Sequence, residues 1–123
     1  MIVIGRSSVA LTVLVLSGCV HEDAYQPQVE DADPERGQRA VAALECGACH
    51  VIPGVPGAWG RVGPTLAEYR HNVYIAGKHP NTPEVLVQFV RDAPSLAPDT
   101  AMPAIEMSEG QARDIAAFLY SLE

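Results

Sequence analysis

Cys46-Gly47-Ala48-Cys49-His50 is the most informative segment of this 123-residue chain. Two cysteines three positions apart, followed at once by a histidine, form the attachment pattern for c-type haem. Two thiols on one short turn can each form a thioether bond to a vinyl group of the same haem, and the adjacent imidazole then lies under the iron. The sequence therefore predicts one covalently bound haem c, with Cys46 and Cys49 as attachment points and His50 as an axial ligand of the iron.

A Cys-x-x-Cys pair can also serve as a redox dithiol or as half of a zinc site. Zinc needs four ligands, usually from a second pair at similar spacing, and the chain has three cysteines, of which Cys19 lies far upstream. A thioredoxin-like dithiol follows a strand in a βαβ pattern, whereas the residues around Cys46 lack the alternating β-branched runs of a strand. The flanking sequence therefore favours haem attachment.

The N-terminus has the pattern of an export signal. Residues 1–18 combine a basic tip at Arg6 with a short apolar run and small residues after it. The run is shorter than the roughly 20 apolar residues of a membrane-spanning helix. Leu16-Ser17-Gly18-Cys19 closely resembles the lipobox of bacterial lipoproteins, which implies that Cys19 is lipidated and becomes the new N-terminus. A buried helix is a weaker alternative for this segment, because the apolar run is short. A disulfide at Cys19 would have no partner once Cys46 and Cys49 carry haem, and a lone exposed thiol is uncommon in an oxidising compartment.

The remainder divides into a tether and one domain. Residues 19–32 are expected to hold the lipidated cysteine and a flexible acidic tether, because they are polar, acidic and without period. Residues 33–123 are expected to form one domain of about 90 residues, near the size at which a core alone is marginal. A covalently held haem would add the missing apolar bulk.

The charge of the chain is acidic. Its formal value is −7, from 8 basic and 15 acidic side chains, and loss of Arg6 with the signal makes the processed chain one unit more negative. Nucleic acid and anionic lipid headgroups are therefore poor partners, because no basic patch is present. The charge is expected to serve solubility rather than a dedicated docking patch.

Three helices are predicted in the domain, so its class is all-α. The first begins after Asp33 as N-cap with Pro34 in its first turn, and it leads into the cysteine motif. The second begins at Thr82 and stops before Pro94, and the third begins with a capping-box pattern at Ser108. We expect the first and third to cross at a close contact, and we find no convincing strand pattern. The apolar faces comprise Gly37, Val41 and Leu44 in the first helix, Leu86, Phe89 and Val90 in the second, and Ile115, Phe118, Leu119 and Leu122 in the third, with Gly37 expected against Phe118.

The loop between the second and third helices holds the best candidate for a second iron ligand. Met102 precedes Pro103 in a Pro-punctuated loop, and such loops run over the surface rather than through the core. Its thioether would fill the sixth position of the iron, since His/Met pairing is one of the known ligation schemes. Met107, one residue before the cap of the third helix, is the alternative, and a haem without a methionine ligand is another.

The remaining histidines are His21, His71 and His79. None has metal-ligand spacing, so each is predicted to be a solvated surface residue rather than a ligand.

Taken together, Cys46-x-x-Cys49-His50, Gly63-Pro64-Thr65-Leu66 and Met102-Pro103 resemble class I cytochrome c over the whole predicted domain. The runs Gly60–Leu66 and Tyr74–Glu84 are most similar to the cytochrome c domain fused to subunit II of certain bacterial haem–copper oxidases. The copper-site cysteine pair and the two-helix anchor of that subunit are not in this sequence. The chain would therefore be a free-standing or tethered relative of that domain.

The resemblance implies a small cytochrome c fold of three main helices around the haem. It also implies that the Pro64 carbonyl accepts the second N–H of His50, which fixes the tautomer of a ligand, and that Leu66 packs on the ring. Relatives often carry Trp at the position of Phe89, so the propionate hydrogen bond of that indole is not expected here. The remaining candidate donors to the propionates are Arg70, Tyr74 and Trp59.

The resemblance further implies a single-electron carrier, exported and anchored by its lipid at the periplasmic face of a bacterial membrane. Its partners would be redox proteins, such as an oxidase, a dehydrogenase or other cytochromes of a respiratory chain. With both axial positions filled, no site remains for a small-molecule substrate, so an enzyme is not expected. Two alternatives stay open: a haem enzyme or gas sensor with an open sixth position, and a cytochrome subunit fixed in an oxidase or dehydrogenase complex.

Overall fold

The computed structural model describes residues 28–123, so the predicted signal peptide, Cys19 and His21 lie outside the described residues. The α-helices are α1 (Pro34–Ala43), α2 (Pro83–Arg91), α3 (Ala93–Leu96) and α4 (Glu109–Tyr120). Short 3₁₀ turns cover Cys46–Ala48 and Tyr69–His71, and β1 (Tyr74–Ile75) pairs antiparallel with β2 (His79–Pro80). The predicted all-α class with three main helices is confirmed. No helix within residues 28–123 has the length and apolar character needed to cross a bilayer.

The three predicted helix starts are correct. The Asp33 carboxylate accepts hydrogen bonds from two backbone N–H groups in the first turn of α1, at 2.8 and 3.0 Å. Thr82 Oγ1 accepts from the N–H group three residues further on, at 3.4 Å. Ser108 and Gln111 form the reciprocal capping box of α4, at 3.1 and 3.0 Å. These side chains satisfy donors that a helix start leaves without internal partners.

Helices α1 and α4 cross where the sequence predicts. A Cβ atom on Gly37 would lie 1.9 Å from the carbonyl oxygen of Asp114 and 2.8 Å from the Cβ of Phe118. Only a residue without a side chain allows this approach. The close contact expected between the first and last main helices is therefore present.

A buried carboxylate locks the same crossing. Nε and Nη2 of Arg36 donate to the two carboxylate oxygens of Asp114, each at 2.8 Å, and the backbone N–H of Asp33 donates to Oδ1 of Asp114 at 2.7 Å. The hydrogen bond from Arg36 lowers the pKa of Asp114, although burial acts in the opposite direction. The start of α1 is thus tied to the second turn of α4.

The hydrophobic core is formed by side chains of the main helices and of the chain that follows the cysteine motif. Leu86 and Val41 are its largest fully buried side chains. Val29 is partly buried and packs against this core, although it lies in the segment that the sequence predicts as a tether. Within residues 28–123, contact with the core therefore begins at Val29.

Two short elements were not predicted. The hairpin turns at Ala76 and Gly77, both with positive φ (49° and 69°), and the N–H of Lys78 donates to the carbonyl of Ile75 at 3.1 Å, a pattern typical of a type I′ turn. Its two-residue strands are too short to show alternation. Pro94, expected only to end α2, lies in the first turn of α3, which is another position where proline is favoured.

Candidate functional site

The cysteine motif follows directly from the end of α1. Glu45 has a positive φ of 54°, which turns the chain into the 3₁₀ turn Cys46–Ala48. The N–H groups of Cys49 and His50 both donate to the carbonyl of Cys46, at 3.2 and 3.1 Å. Both cysteines are partly buried free thiols. The turn therefore presents two thiols and an imidazole from five consecutive residues.

The chain after the motif folds back along it. The N–H groups of Gly60 and Gly63 donate to the carbonyls of Gly47 and Cys49, at 3.0 and 2.9 Å. A Cβ atom on Gly60 would lie 2.4 Å from the carbonyl oxygen of Ala48. The two backbones are thus in direct contact, with no room for side chains between them.

His50 is fixed in one tautomer by this returning segment. Its Nδ1 lies 2.7 Å from the carbonyl oxygen of Pro64, and because a carbonyl only accepts, Nδ1 carries the hydrogen and Nε2 keeps its lone pair. A Cβ atom on Gly63 would lie 2.3 Å from the ring Cε1. The hydrogen bond to Pro64 is the one that the family resemblance implies, and it leaves Nε2 able to bind a metal.

A central cavity of about 620 Å³ lies between the motif, the hairpin, the main helices and the loop after α3. Its volume is within the range of cofactor and small-molecule sites, roughly 300–1,000 Å³. Aliphatic and aromatic side chains form most of its wall, with the motif thiols and imidazole at one side, a set that fits a covalently attached haem. All six residues predicted to hold the cofactor line it: Cys46, Cys49, His50, Pro64, Leu66 and Met102.

The environment of the Cys46 thiol helps to distinguish haem attachment from a redox dithiol. Burial raises the pKa of the Cys46 thiol, and the neighbouring Cys49 adds to the effect. A redox-active dithiol requires the opposite, a lowered pKa that supplies a reactive thiolate. Together with the cavity beside it, this environment favours an attachment site over a dithiol.

Both candidate methionines reach the cavity. Met107 is partly buried and packs against the hydrophobic core, so core packing accounts for it. Met102 is partly buried and lines the cavity, but it is not among the residues that pack against that core. Its N–H donates to Thr100 Oγ1 at 3.2 Å, which holds the loop at this point. Core packing alone does not separate the two methionines, since Cys46 and Leu66 pack against the same core. The position of Met102 in the loop before Pro103 is what favours it as the ligand.

The prediction that His79 is a solvated surface residue is wrong. The residue is partly buried, and its Nε2–H donates to the carbonyl of Leu96, the last residue of α3, at 2.8 Å. His71 is exposed, as predicted. No sequence signal marks the contact of His79, because it joins the hairpin to a helix end 17 positions away.

A polar cluster beside the cavity was also missed. The hydroxyl groups of Tyr69 and Tyr120 both donate to Oδ1 of Asn81, at 3.4 and 3.0 Å, and Nδ2 of Asn81 donates to the carbonyl of Asn72 at 2.7 Å. Tyr69 lines the cavity, and burial raises its pKa. Asn81 therefore joins the base of the hairpin to the end of α4. Asparagines are common in turns, so this one gave no signal of a tertiary role.

The candidate propionate donors divide between the cavity and the surface. Tyr74 lines the cavity. Arg70 instead forms an ion pair with Glu123, and Trp59 is 74% exposed; neither is among the residues that line the cavity. Phe89 lines the cavity at the position where relatives often carry Trp.

Large apolar side chains are exposed near the mouth of the cavity. Val62 and Tyr74 line the cavity and are nevertheless 72% and 61% exposed. Trp59 lies three positions before Val62 and Val73 lies next to Tyr74, and these two side chains are 74% and 70% exposed. We call these residues the mouth patch: Trp59, Val62, Val73 and Tyr74.

The proteins that this chain is similar to agree with a haem site in the cavity. Residues 34–123 match the family described as Cytochrome c. Among solved structures, cytochrome c2 from Rhodobacter sphaeroides is similar with a TM-score of 0.51 and 23% sequence identity, covering 75% of this chain and 97% of that one. At this identity the likeness shows the fold alone. No curated protein matches the sequence.

Proposed function

Because the chain belongs to the cytochrome c family, we propose that it is a monohaem electron carrier anchored by a lipid on Cys19 at the periplasmic face of a bacterial membrane. Membership of the family means covalently bound haem c and electron transfer. The ligand set, the anchor, the compartment and the redox partners are the parts that we propose.

The observation that supports the proposal best is the meeting of both predicted axial ligands and both thiols in one cavity. Cys46 and Cys49 would hold the haem by thioether bonds, and Nε2 of His50 and the sulfur of Met102 would bind its iron. When bound, haem supplies an iron that accepts and releases one electron. A thioether ligand favours the reduced iron, so Met102 would raise the reduction potential.

The same ligand set argues against an enzyme. A closed sixth position offers no site at which a substrate or gas could bind the iron. Among residues 28–123, neither His71 nor His79 lines the cavity, so no described histidine except His50 is placed for acid–base chemistry there. A haem enzyme or gas sensor becomes the better interpretation only if Met102 is not on the iron.

The mouth patch supports weak docking of a redox protein. Its four side chains are the exposed large hydrophobic residues of the described chain, and exposed apolar patches beside a site commonly mark interaction surfaces. Electron-transfer complexes are small and short-lived. We propose that an oxidase, a dehydrogenase or another cytochrome docks over Val62 and Tyr74, where the cavity reaches the surface. A fixed place in an oxidase complex, like that of the oxidase subunit II domain, would use the same face.

The anchor rests on the lipobox-like sequence that ends at Cys19. Two or more acyl chains, at about 0.8 kcal/mol per buried CH₂, would give stable attachment where a single chain would not. The domain would then remain at the membrane surface near its partners.

Expression of the full chain in a bacterium that matures c-type cytochromes tests the proposal. The haem should stay with the denatured protein through acidified organic extraction, the native protein should sediment with membranes, and its intact mass should include acyl groups. Cys19→Ala should abolish lipidation and leave the haem in place. A native protein without acyl groups would show that the proposed lipid anchor is wrong. Rapid carbon monoxide binding would show that the sixth position is open, and a haem enzyme or gas sensor would then be the better interpretation.

A further inference from the structure

His79 links the hairpin to the end of α3. It lies in β2, while β1 and the turn of the same hairpin contribute Tyr74, Ile75, Ala76 and Gly77 to the cavity lining. Its Nε2–H donates to the carbonyl of Leu96 at 2.8 Å. Because that carbonyl can only accept, the hydrogen is on Nε2.

The acceptor is the last carbonyl of α3, one of those that a helix end leaves without an internal partner. The loop that carries Met102 begins at the next residue. At its far end this loop is fixed by the N–H of Ile105, which donates to the carbonyl of Arg91 at 2.9 Å, and by a β-bridge between Asp92 and Ala104. The far end is thus attached to the end of α2 by backbone contacts.

The backbone hydrogen bonds at the near end of the loop are local. The N–H of Ala97 donates to the carbonyl of Ala93 at 2.8 Å, and the N–H of Thr100 donates to the carbonyl of Ala97 at 3.0 Å. Both bonds lie within α3 and the loop, so neither ties this segment to the hairpin. Among the described hydrogen bonds, that of His79 is the side-chain bond that ties this segment to the hairpin.

We propose that His79 is a positioning residue for Met102: its hydrogen bond holds the start of the loop against the hairpin and so keeps the methionine sulfur at the iron. This inference rests on the proposed ligation by Met102. The protein then has a closed state, in which Met102 is bound and the His79 bond is made, and a rarer open state, in which both are lost.

The size of the effect follows from the energy of one hydrogen bond. A neutral hydrogen bond contributes about 1 kcal/mol net, which corresponds to a roughly five-fold change in an equilibrium constant. An external ligand binds only to the open state, so its apparent affinity is proportional to the open fraction. Removal of the His79 donor should therefore raise that affinity about five-fold.

Cyanide binding to the haem-loaded ferric protein measures the open fraction. His79→Ala should bind cyanide about five-fold more tightly than wild type, and His79→Gln, whose amide N–H can donate to the same carbonyl, should remain close to wild type. His71→Ala is the matched control, because His71 is exposed and no side-chain hydrogen bond of it is found in residues 28–123; it should change nothing. If His79→Ala does not retain haem, His79→Leu keeps the side-chain bulk without the donor.

The outcomes separate this inference from the proposed function. If Met102→Ala binds cyanide strongly while both donor-deleting variants at His79 behave as wild type, the positioning role is wrong and Met102 ligation stands. If Met102→Ala leaves cyanide binding unchanged, Met102 is not the ligand and the proposed function fails. An equal increase in His71→Ala would show general loosening and would also overturn the role of His79.

Discussion

The two walls of the central cavity are held in different ways. The His50 wall consists of two backbones in direct hydrogen-bonded contact, with Gly60 and Gly63 at points where a Cβ atom would overlap a neighbour. The Met102 wall is a loop attached by backbone contacts at one end and by the His79 side chain at the other. The fold therefore fixes His50 itself, whereas Met102 depends on a few hydrogen bonds of about 1 kcal/mol each.

The largest effect is expected from adding a side chain at a glycine of the His50 wall. Gly63→Val should prevent formation of the haem-loaded protein, because a Cβ at this position would lie 2.3 Å from the imidazole Cε1 of His50. The yield of covalent haem per polypeptide is the measurement. Gly110→Ala is the control: its Cβ would meet only Ser108 Oγ, at 3.9 Å, so it should load haem normally. Normal haem loading of Gly63→Val would contradict the rigid wall.

The next largest effect is expected at the sulfur of the opposite wall. Met102→Ala should leave haem attachment intact, abolish the weak charge-transfer band at the red end of the ferric visible spectrum, and lower the midpoint potential by on the order of 0.1 V or more, because axial ligands set haem potentials. Spectroelectrochemistry measures both. Met107→Ala should retain the band and the potential, since Met107 packs against the core. The reverse pattern would identify Met107 as the ligand.

A substitution remote from both walls should change stability without changing ligation. Asp114→Asn should lower the free energy of unfolding by about 1–2 kcal/mol at neutral pH, because Arg36 and the N–H of Asp33 lose a charged acceptor. Denaturant unfolding measures this, and the charge-transfer band should be unchanged. Arg113→Ala, which breaks the exposed pair with Glu109, should stay within about 0.5 kcal/mol of wild type.

The same pair has a predictable pH dependence. The hydrogen bond from Arg36 holds the pKa of Asp114 below its ordinary value, so its contribution is fully present above the ordinary aspartate pKa of about 4 and is lost as the pH falls through the lowered folded-state value. The stability difference between wild type and Asp114→Asn should therefore narrow at acid pH. A difference that stays constant to pH 2 would exclude a role for the charge.

The smallest change is expected on the outer surface. Trp59→Ser should leave the potential unchanged and alter stability by less than about 0.5 kcal/mol, because the side chain is 74% exposed. The rate of electron exchange with a redox partner should fall, since an apolar docking contact is removed. Stopped-flow oxidation by a partner cytochrome measures the rate. An unchanged rate would place docking elsewhere on the surface.

The sequence predicts what local chemistry and short spacings determine. Asp33, Thr82 and Ser108 carry their own capping information, and Gly37 marks a close helix contact by the absence of a side chain. Cys46, Cys49, His50 and Met102 were predicted from short motifs. Pro64 and Leu66 were predicted from the family resemblance, and all six line one cavity.

The missed features depend on contacts between distant segments. The bonds of His79 to Leu96 and of Asn81 to two tyrosines exist only after the hairpin has docked. Pro94 permits either a stop or a new helix start, and the side chain of Asp92, which accepts from the N–H of Ser95 at 3.3 Å, favours the start. Such choices are decided by tertiary structure, which local patterns do not contain.

Carbon monoxide binding to the reduced wild-type protein tests the electron-carrier assignment most directly. Carbon monoxide needs a free position on ferrous iron, and a sixth position filled by Met102 offers none. The visible spectrum of the reduced protein should therefore remain unchanged under carbon monoxide, while Met102→Ala should form the adduct at once. Rapid adduct formation by wild type would mean that the iron is open at rest, and a haem enzyme or gas sensor would take the place of the electron carrier.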